Sequence, residues 1–280
     1  MKKDIFSVVL IILASFLLQM NCEDRSVTPR KTYWDAVKEI ISQYPDVFRL
    51  GFYDTEPDTF FYREITKSDA DIEEGWIFEA DSLHRFCDYY ITLVWGDSLK
   101  GKFHYRFNGE SYEKQFSSIA KTNAYFEKWG GGSLDRGWSL KQFSGTVINS
   151  VGATRNLSTL RIVSDDEVDV TLNGDILMKL VKMNSTLIFG KGKQVTFIVD
   201  PITDTSDFFF LYVKEGQTYQ KIPFTNNGDE TLSASWTTTA DPDPAKRYYH
   251  AIVDVISQKS VADTTANYDS KAWGIVYQIK

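Results

Sequence analysis

Across Lys102-Phe-His-Tyr-Arg-Phe107, the side chains of Phe103, Tyr105 and Phe107 alternate strictly with those of Lys102, His104 and Arg106. A period of two is the signature of a β-strand with one buried and one wet face, because successive side chains leave a pleated backbone on opposite sides. The same reading places His104 on the wetter face. Tyr89–Trp95 precedes this strand, and the intervening Gly-Asp-Ser-Leu-Lys-Gly reads as a turn. Asn108-Gly109, a strong hairpin signal, leads into a third strand at Ser111–Phe116. Further strands are expected at 123–129 and 138–148, on either side of a glycine-rich turn. Nineteen Phe, fifteen Tyr and seven Trp suit such a chain, since aromatic side chains favour strands.

One early stretch follows a different period. Thr32 with Asp35 resembles a capping box, and Trp34, Val37, Ile40, Ile41 and Tyr44 recur at helical spacing until Pro45. This predicts a single substantial helix, at about 33–44, with its apolar stripe on a sheet. Residues 32–150 are therefore expected to form an α+β unit, one helix on an antiparallel sheet of about five strands. Its closing RGWSLKQFSG is similar to the last strand of NTF2-like domains.

From residue 151 the helical period disappears. TLRIV, VDVTL, Asn173-Gly174 and ILMKL read as a hairpin region. TLIF, VTFIVD, FFFLYV, TYQKIPF, TLSASWTT, YYHAIVDVI and AWGIVYQI follow, separated by turn-rich linkers. Short strands at even spacing predict an immunoglobulin-like β-sandwich over 151–280, with Trp236 in its core and the last strand pinned in a sheet. No cysteine pair supports a true immunoglobulin domain. The expected fold class is thus mainly β.

The N-terminus supplies an address. Lys2 and Lys3 precede the apolar run Ile5–Leu18, which is short for a bilayer span of about 20 residues and suits a signal peptide. Leu17-Leu18-Gln19-Met20-Asn21-Cys22 resembles the lipobox of bacterial lipoproteins, with Gln19 and Asn21 where the common form has Leu and a small residue. The resemblance implies a signal peptide at 1–21, cleavage before Cys22, and acylation of Cys22 as the lipid attachment site. Residues 22–31 then form a lipidated N-terminus and polar tether, and the implied location is the bacterial envelope, at the periplasmic face of the outer membrane or the cell surface. The membrane would be engaged through the N-terminal acyl chains. With Cys22 acylated, Cys87 has no disulfide partner and reads as a small buried residue.

Charge narrows the partners. The chain carries 31 basic and 38 acidic residues, net −7; loss of Lys2, Lys3 and Asp4 with the leader makes it −8. No Lys/Arg run occurs, which argues against nucleic acid and against electrostatic attraction to anionic lipid.

Motifs for chemistry are sparse. Gly96-Asp97-Ser98-Leu99 resembles the first block of GDSL esterases, which implies Ser98 as a nucleophile. That family's late D-x-x-H is missing, since Arg247, Tyr248 and Tyr249 precede His250. Ser98 is therefore read as a turn serine. Gly132 and Gly137 have phosphate-loop separation, but Trp138-Ser139 stands where Lys-Ser/Thr is needed. Tyr125, Trp129 and Trp138 bracket the glycine-rich loop and are the candidate ligand-binding aromatics, as sugar-stacking faces. Asp200, Asp204 and Asp207, with Asp241 and Asp243, are weak calcium candidates, lacking EF-hand spacing and composed of a common turn former. His84, His104 and His250 are scattered and form no zinc motif. No cofactor and no catalytic site are assigned. The expected function is a lipid-anchored envelope protein with a binding or structural role, its partner a glycan or an envelope protein. The alternatives are a carbohydrate-binding module and an envelope glycan hydrolase.

Overall fold

A computed structural model describes residues 31–50, 60–68, 76–85, 88–128, 137–201, 206–214, 219–239 and 248–280. Helix α1 (Lys31–Gln43) and the short α2 (Pro45–Phe48) turn Ala36, Val37, Ile40, Ile41, Val47 and Phe48 inward. Helix α1 starts one residue before Thr32, which therefore lies within its first turn. Pro45 opens α2, where a missing N–H leaves nothing unpaired.

Nearly everything else is strand, and the protein is mainly β. The strands are β1 (Phe61–Ser68), β2 (Trp76–Arg85), β3 (Asp88–Phe107), β4 (Glu110–Lys128) and β5 (Trp138–Ser150), then β6 (Leu157–Ser164), β7 (Asp169–Leu172), β8 (Val181–Lys182) and β9 (Leu187–Phe189). β10 (Gln194–Pro201), β11 (Phe208–Lys214), β12 (Tyr219–Pro223), β13 (Thr225–Asn226), β14 (Leu232–Thr237), β15 (Tyr249–Ile256) and β16 (Ser270–Ile279) complete the order. Two short helices, α3 (Gly174–Leu177) and α4 (Gln258–Ala262), interrupt it.

These strands form two sheets. The larger has eleven strands on the path β1-β3-β4-β5-β16-β15-β11-β12, with β2 on β3, β8 on β5 and β9 on β16; the smaller has the order β13-β14-β10-β6-β7. Pairing is antiparallel except for β9 with β16. The larger sheet crosses residue 150, because Lys271–Gly274 of β16 pair with Thr146–Asn149 of β5.

The long β3 corrects one expectation. Gly-Asp-Ser-Leu-Lys-Gly is not a turn: it lies within a continuous twenty-residue strand paired throughout with β4. Gly101 serves close approach instead, since a Cβ there would stand 2.0 Å from the Glu64 carbonyl oxygen of β1. The reversal falls at Asn108-Gly109, both at positive φ (52° and 83°). Asn173-Gly174 is likewise no hairpin turn. Asn173 caps α3, its side-chain oxygen accepting from the Ile176 N–H at 2.9 Å.

The larger sheet is covered on both faces. Against one face, α1 and α2 pack with Ile91, Leu93, Ala124, Phe126, Ile252 and Ala272. Farther along, Phe61, Phe103, Phe116, Ile256 and Tyr268 continue the same side. Against the other face, Leu160, Ile162, Phe197 and Trp236 of the smaller sheet meet Leu211, Val253, Trp273 and Tyr277. The larger sheet curls strongly: Lys221 Nζ on β12 donates to the Phe61 carbonyl of β1 at 3.0 Å, joining the two ends of the path.

Candidate functional site

The curl brings charged groups into the hollow of the larger sheet. Arg63 of β1 reaches Asp254 of β15, five places along the path; Nη2 and Oδ2 are 2.5 Å apart. Arg63 Nε also donates to Tyr268 Oη at 2.8 Å, and Ser270 Oγ donates to the second Asp254 oxygen at 3.0 Å. Both charged side chains are almost fully buried, and burial pushes the Tyr268 hydroxyl up to about 12. Every strong group in this cluster meets a protein partner, which is the pattern of a structural network.

Asp97 differs. It is 1% exposed, and neither carboxyl oxygen has a hydrogen-bond partner. Burial raises its pKa to about 7, against a smaller opposing pull from Arg49. His250, also buried, shares a hydrogen bond with the Tyr219 hydroxyl and lies 3.8 Å from an Asp46 oxygen. Burial, aided by Lys214, lowers its pKa to about 3, and a backbone hydrogen bond at Asp46 opposes the shift. Sequence inspection singled out neither Asp97 nor the Arg63–Asp254 pair. Both depend on contacts between distant strands, and Gly96 and Ser98 beside Asp97 carry a turn signal that hides its burial.

The residues expected to bind are dispersed. Ser98 is 5% exposed within β3, and His250 is bonded to Tyr219. Trp138 is 3% exposed and packs edge-on against Tyr33 at 5.6 Å, so it offers no free face to a sugar. Tyr125 is half-buried and stacked at 6.2 Å on Tyr90. Asp207 accepts from Arg155 and from the Gln258 N–H, while Asp200 accepts from Thr159. Among the described residues no cluster of three or more metal-ligating side chains occurs. Cys22, Cys87, Trp129, Asp204, Asp241 and Asp243 lie outside the described residues.

An opening among the described residues is apolar. A groove of about 160 Å³ runs between β7, α3 and the segment 181–187 on one side and β5 and β16 on the other. Val170, Leu172, Leu177, Phe143, Leu187 and Ile275 form its walls; Ser144, Ser185 and Thr186 add hydroxyls. Helix α3 is seated tightly here, because a Cβ on Gly145 would lie 2.3 Å from Leu177 Cδ1. Among the described residues three large apolar side chains are exposed, and two of them, Ile176 (46%) and Val181 (37%), line this groove. A concave, mostly apolar lining with a few polar groups is the usual make-up of a small-molecule site.

Compared with known protein families, curated proteins and solved structures, the chain matches none.

Proposed function

We propose that the protein is a lipid-anchored cell-envelope protein with a binding rather than a catalytic role. The observation that carries this reading is Cys22, placed where the apolar run Ile5–Leu18 gives way to polar sequence. Among the described residues no helix is long and apolar enough to cross a membrane. The binding role is supported by the apolar groove, and the non-catalytic role by the commitment of Ser98, His250 and Asp254 to the packed interior. A glycan partner is the second reading, favoured by the parallel Tyr90–Tyr125 stack. For the finer architecture, we propose an α+β unit over 32–150 and an immunoglobulin-like sandwich over 151–280. The supporting features are α1 lying on the larger sheet and the smaller sheet packing against β11, β15 and β16.

The test is metabolic labelling with a palmitate analogue. Wild type is expected to incorporate label and to run about 2 kDa below its precursor, the mass of some twenty residues. Cys22→Ser is expected to stay unlabelled and full-length. A labelled Cys22→Ser protein, or an unlabelled wild type cleaved elsewhere, overturns the anchor.

A further inference from the structure

We propose that Asn108, at the tip of the β3–β4 hairpin, is a site of spontaneous modification, converting through a cyclic imide to aspartate and isoaspartate. The Asn-Gly step that this reaction uses occurs three times, at Asn108-Gly109, Asn173-Gly174 and Asn227-Gly228. The fold leaves the first of them open to the reaction and engages the other two.

The chemistry needs two unengaged groups. The glycine backbone nitrogen, once it gives its proton to water, attacks the asparagine Cγ. The N–Cγ bond forms, the Cγ–Nδ2 bond breaks, and Nδ2 leaves as ammonia. Water then adds to either imide carbonyl. Opening at Cγ gives aspartate; opening at the backbone carbonyl gives isoaspartate, with an extra methylene in the main chain. Glycine suits the attack because no Cβ obstructs its nitrogen. All three asparagines are exposed, so exposure does not separate them, but hydrogen bonds do. Asn173 Oδ1 accepts from the Ile176 N–H at 2.9 Å, so attack there must first break the cap of α3. At the third step both reacting groups are held. Asn227 Nδ2 donates to Thr231 Oγ1 at 2.8 Å and its Oδ1 accepts from Ser233 Oγ at 2.7 Å. The Gly228 N–H donates to Asn226 Oδ1 at 2.7 Å. Among the described residues nothing bonds the Asn108 carboxamide or the Gly109 N–H. The space around Gly109 is open, since a Cβ there would meet nothing within 4 Å. The turn holds both residues at positive φ and must open briefly for the attack. Only the Phe107–Glu110 pair closes it, and exposed tips of this kind open at little cost. The first conversion takes the net charge from −7 to −8 and sets the new carboxylate close to Glu110.

The test incubates the purified full chain at neutral and at mildly alkaline pH, then follows the amide-to-acid mass gain in tryptic peptides. The peptide Phe107–Lys114 carries Asn108 as its only asparagine. An isoaspartyl methyltransferase with a labelled methyl donor reads the isoaspartate product. Asn108 is expected to convert first, several-fold faster than Asn173 and Asn227. The rate is expected to rise with pH, because the nucleophile is the deprotonated amide. In denaturing urea the three rates are expected to converge. Asn226→Ala/Ser233→Ala releases the Gly228 N–H and the Asn227 Oδ1, and is expected to speed Asn227 several-fold. Asn173 staying slow in that variant shows that it remains folded. Equal rates in the folded chain, earlier conversion of Asn173 or Asn227, or conversion of Asn108 only in urea overturns the proposal. An unmoved Asn227 in the folded double variant overturns the assignment of protection to its hydrogen bonds. The outcome is independent of the anchor: Cys22→Ser is expected to leave the Asn108 rate unchanged.

Discussion

Arg63 and Asp254 show how much a single buried contact weighs in this protein. Removing two charges from water is costly, and their attraction repays it only with good geometry and satisfied remaining atoms. Here Tyr268 and Ser270 supply those partners. Asp254→Asn leaves the Arg63 guanidinium facing a neutral group and is expected to cost about 3–5 kcal/mol. Arg63→Met is expected to cost a similar amount, because it strands the carboxylate. The double variant Arg63→Met/Asp254→Leu is expected to cost much less than the sum, since no unpaired charge remains. Urea midpoints of the four proteins form the double-mutant cycle. Strict additivity would mean that the pair is not coupled in the folded state.

At the scale of elements, legibility depended on whether the deciding contact was local. Helix α1 was readable because Trp34, Val37, Ile40 and Ile41 declare a period and Pro45 a stop within one stretch of chain. The Asn108-Gly109 reversal was readable because positive φ at both positions selects those residues. Glycine misled at 96–101, where turn chemistry and close strand approach look the same in sequence. Only the arrival of Glu64 and Ile65 from β1 distinguishes them. The pairing of β5 with β16, more than a hundred residues apart, has no local signal at all, so the sheet's passage across residue 150 was not visible. The groove was hidden for the same reason: its walls come from β5, β7, α3 and β16. Gly101→Ala isolates this element-scale effect. Its methyl group would collide with β1 backbone, which cannot rotate away as a side chain does. The expected destabilisation is about 1–3 kcal/mol, together with faster amide exchange in β1. A variant as stable as wild type would show that β1 yields at no cost.

Over the whole molecule, stability must balance two buried groups that titrate in opposite senses. Asp97 has a folded pKa raised to about 7 from an ordinary 3.8. The folded state therefore holds its proton where the unfolded state has lost it, and stability declines as pH rises across that window. His250 has a folded pKa lowered to about 3 from 6.5. The unfolded state binds that proton first, so its contribution is present above 6.5 and is lost as pH falls toward 3. The groups facing Asp97 include Arg49, and those facing His250 are Tyr219, Asp46 and Lys214. Between about pH 4 and 6.5 the two slopes oppose, each worth at most about 1.4 kcal/mol per pH unit. Removing either group should uncover the other. Relative to wild type, Asp97→Asn is expected to lose on the order of 2 kcal/mol between pH 6.5 and pH 4.5. His250→Gln, which keeps a partner for the Tyr219 hydroxyl, is expected to gain a similar amount over the same interval. Other carboxylates titrate in all three proteins and cancel in the differences. Urea unfolding at the two pH values reads both changes directly. If the two variants shift in the same direction, the opposition between Asp97 and His250 is not what sets the pH response of this fold.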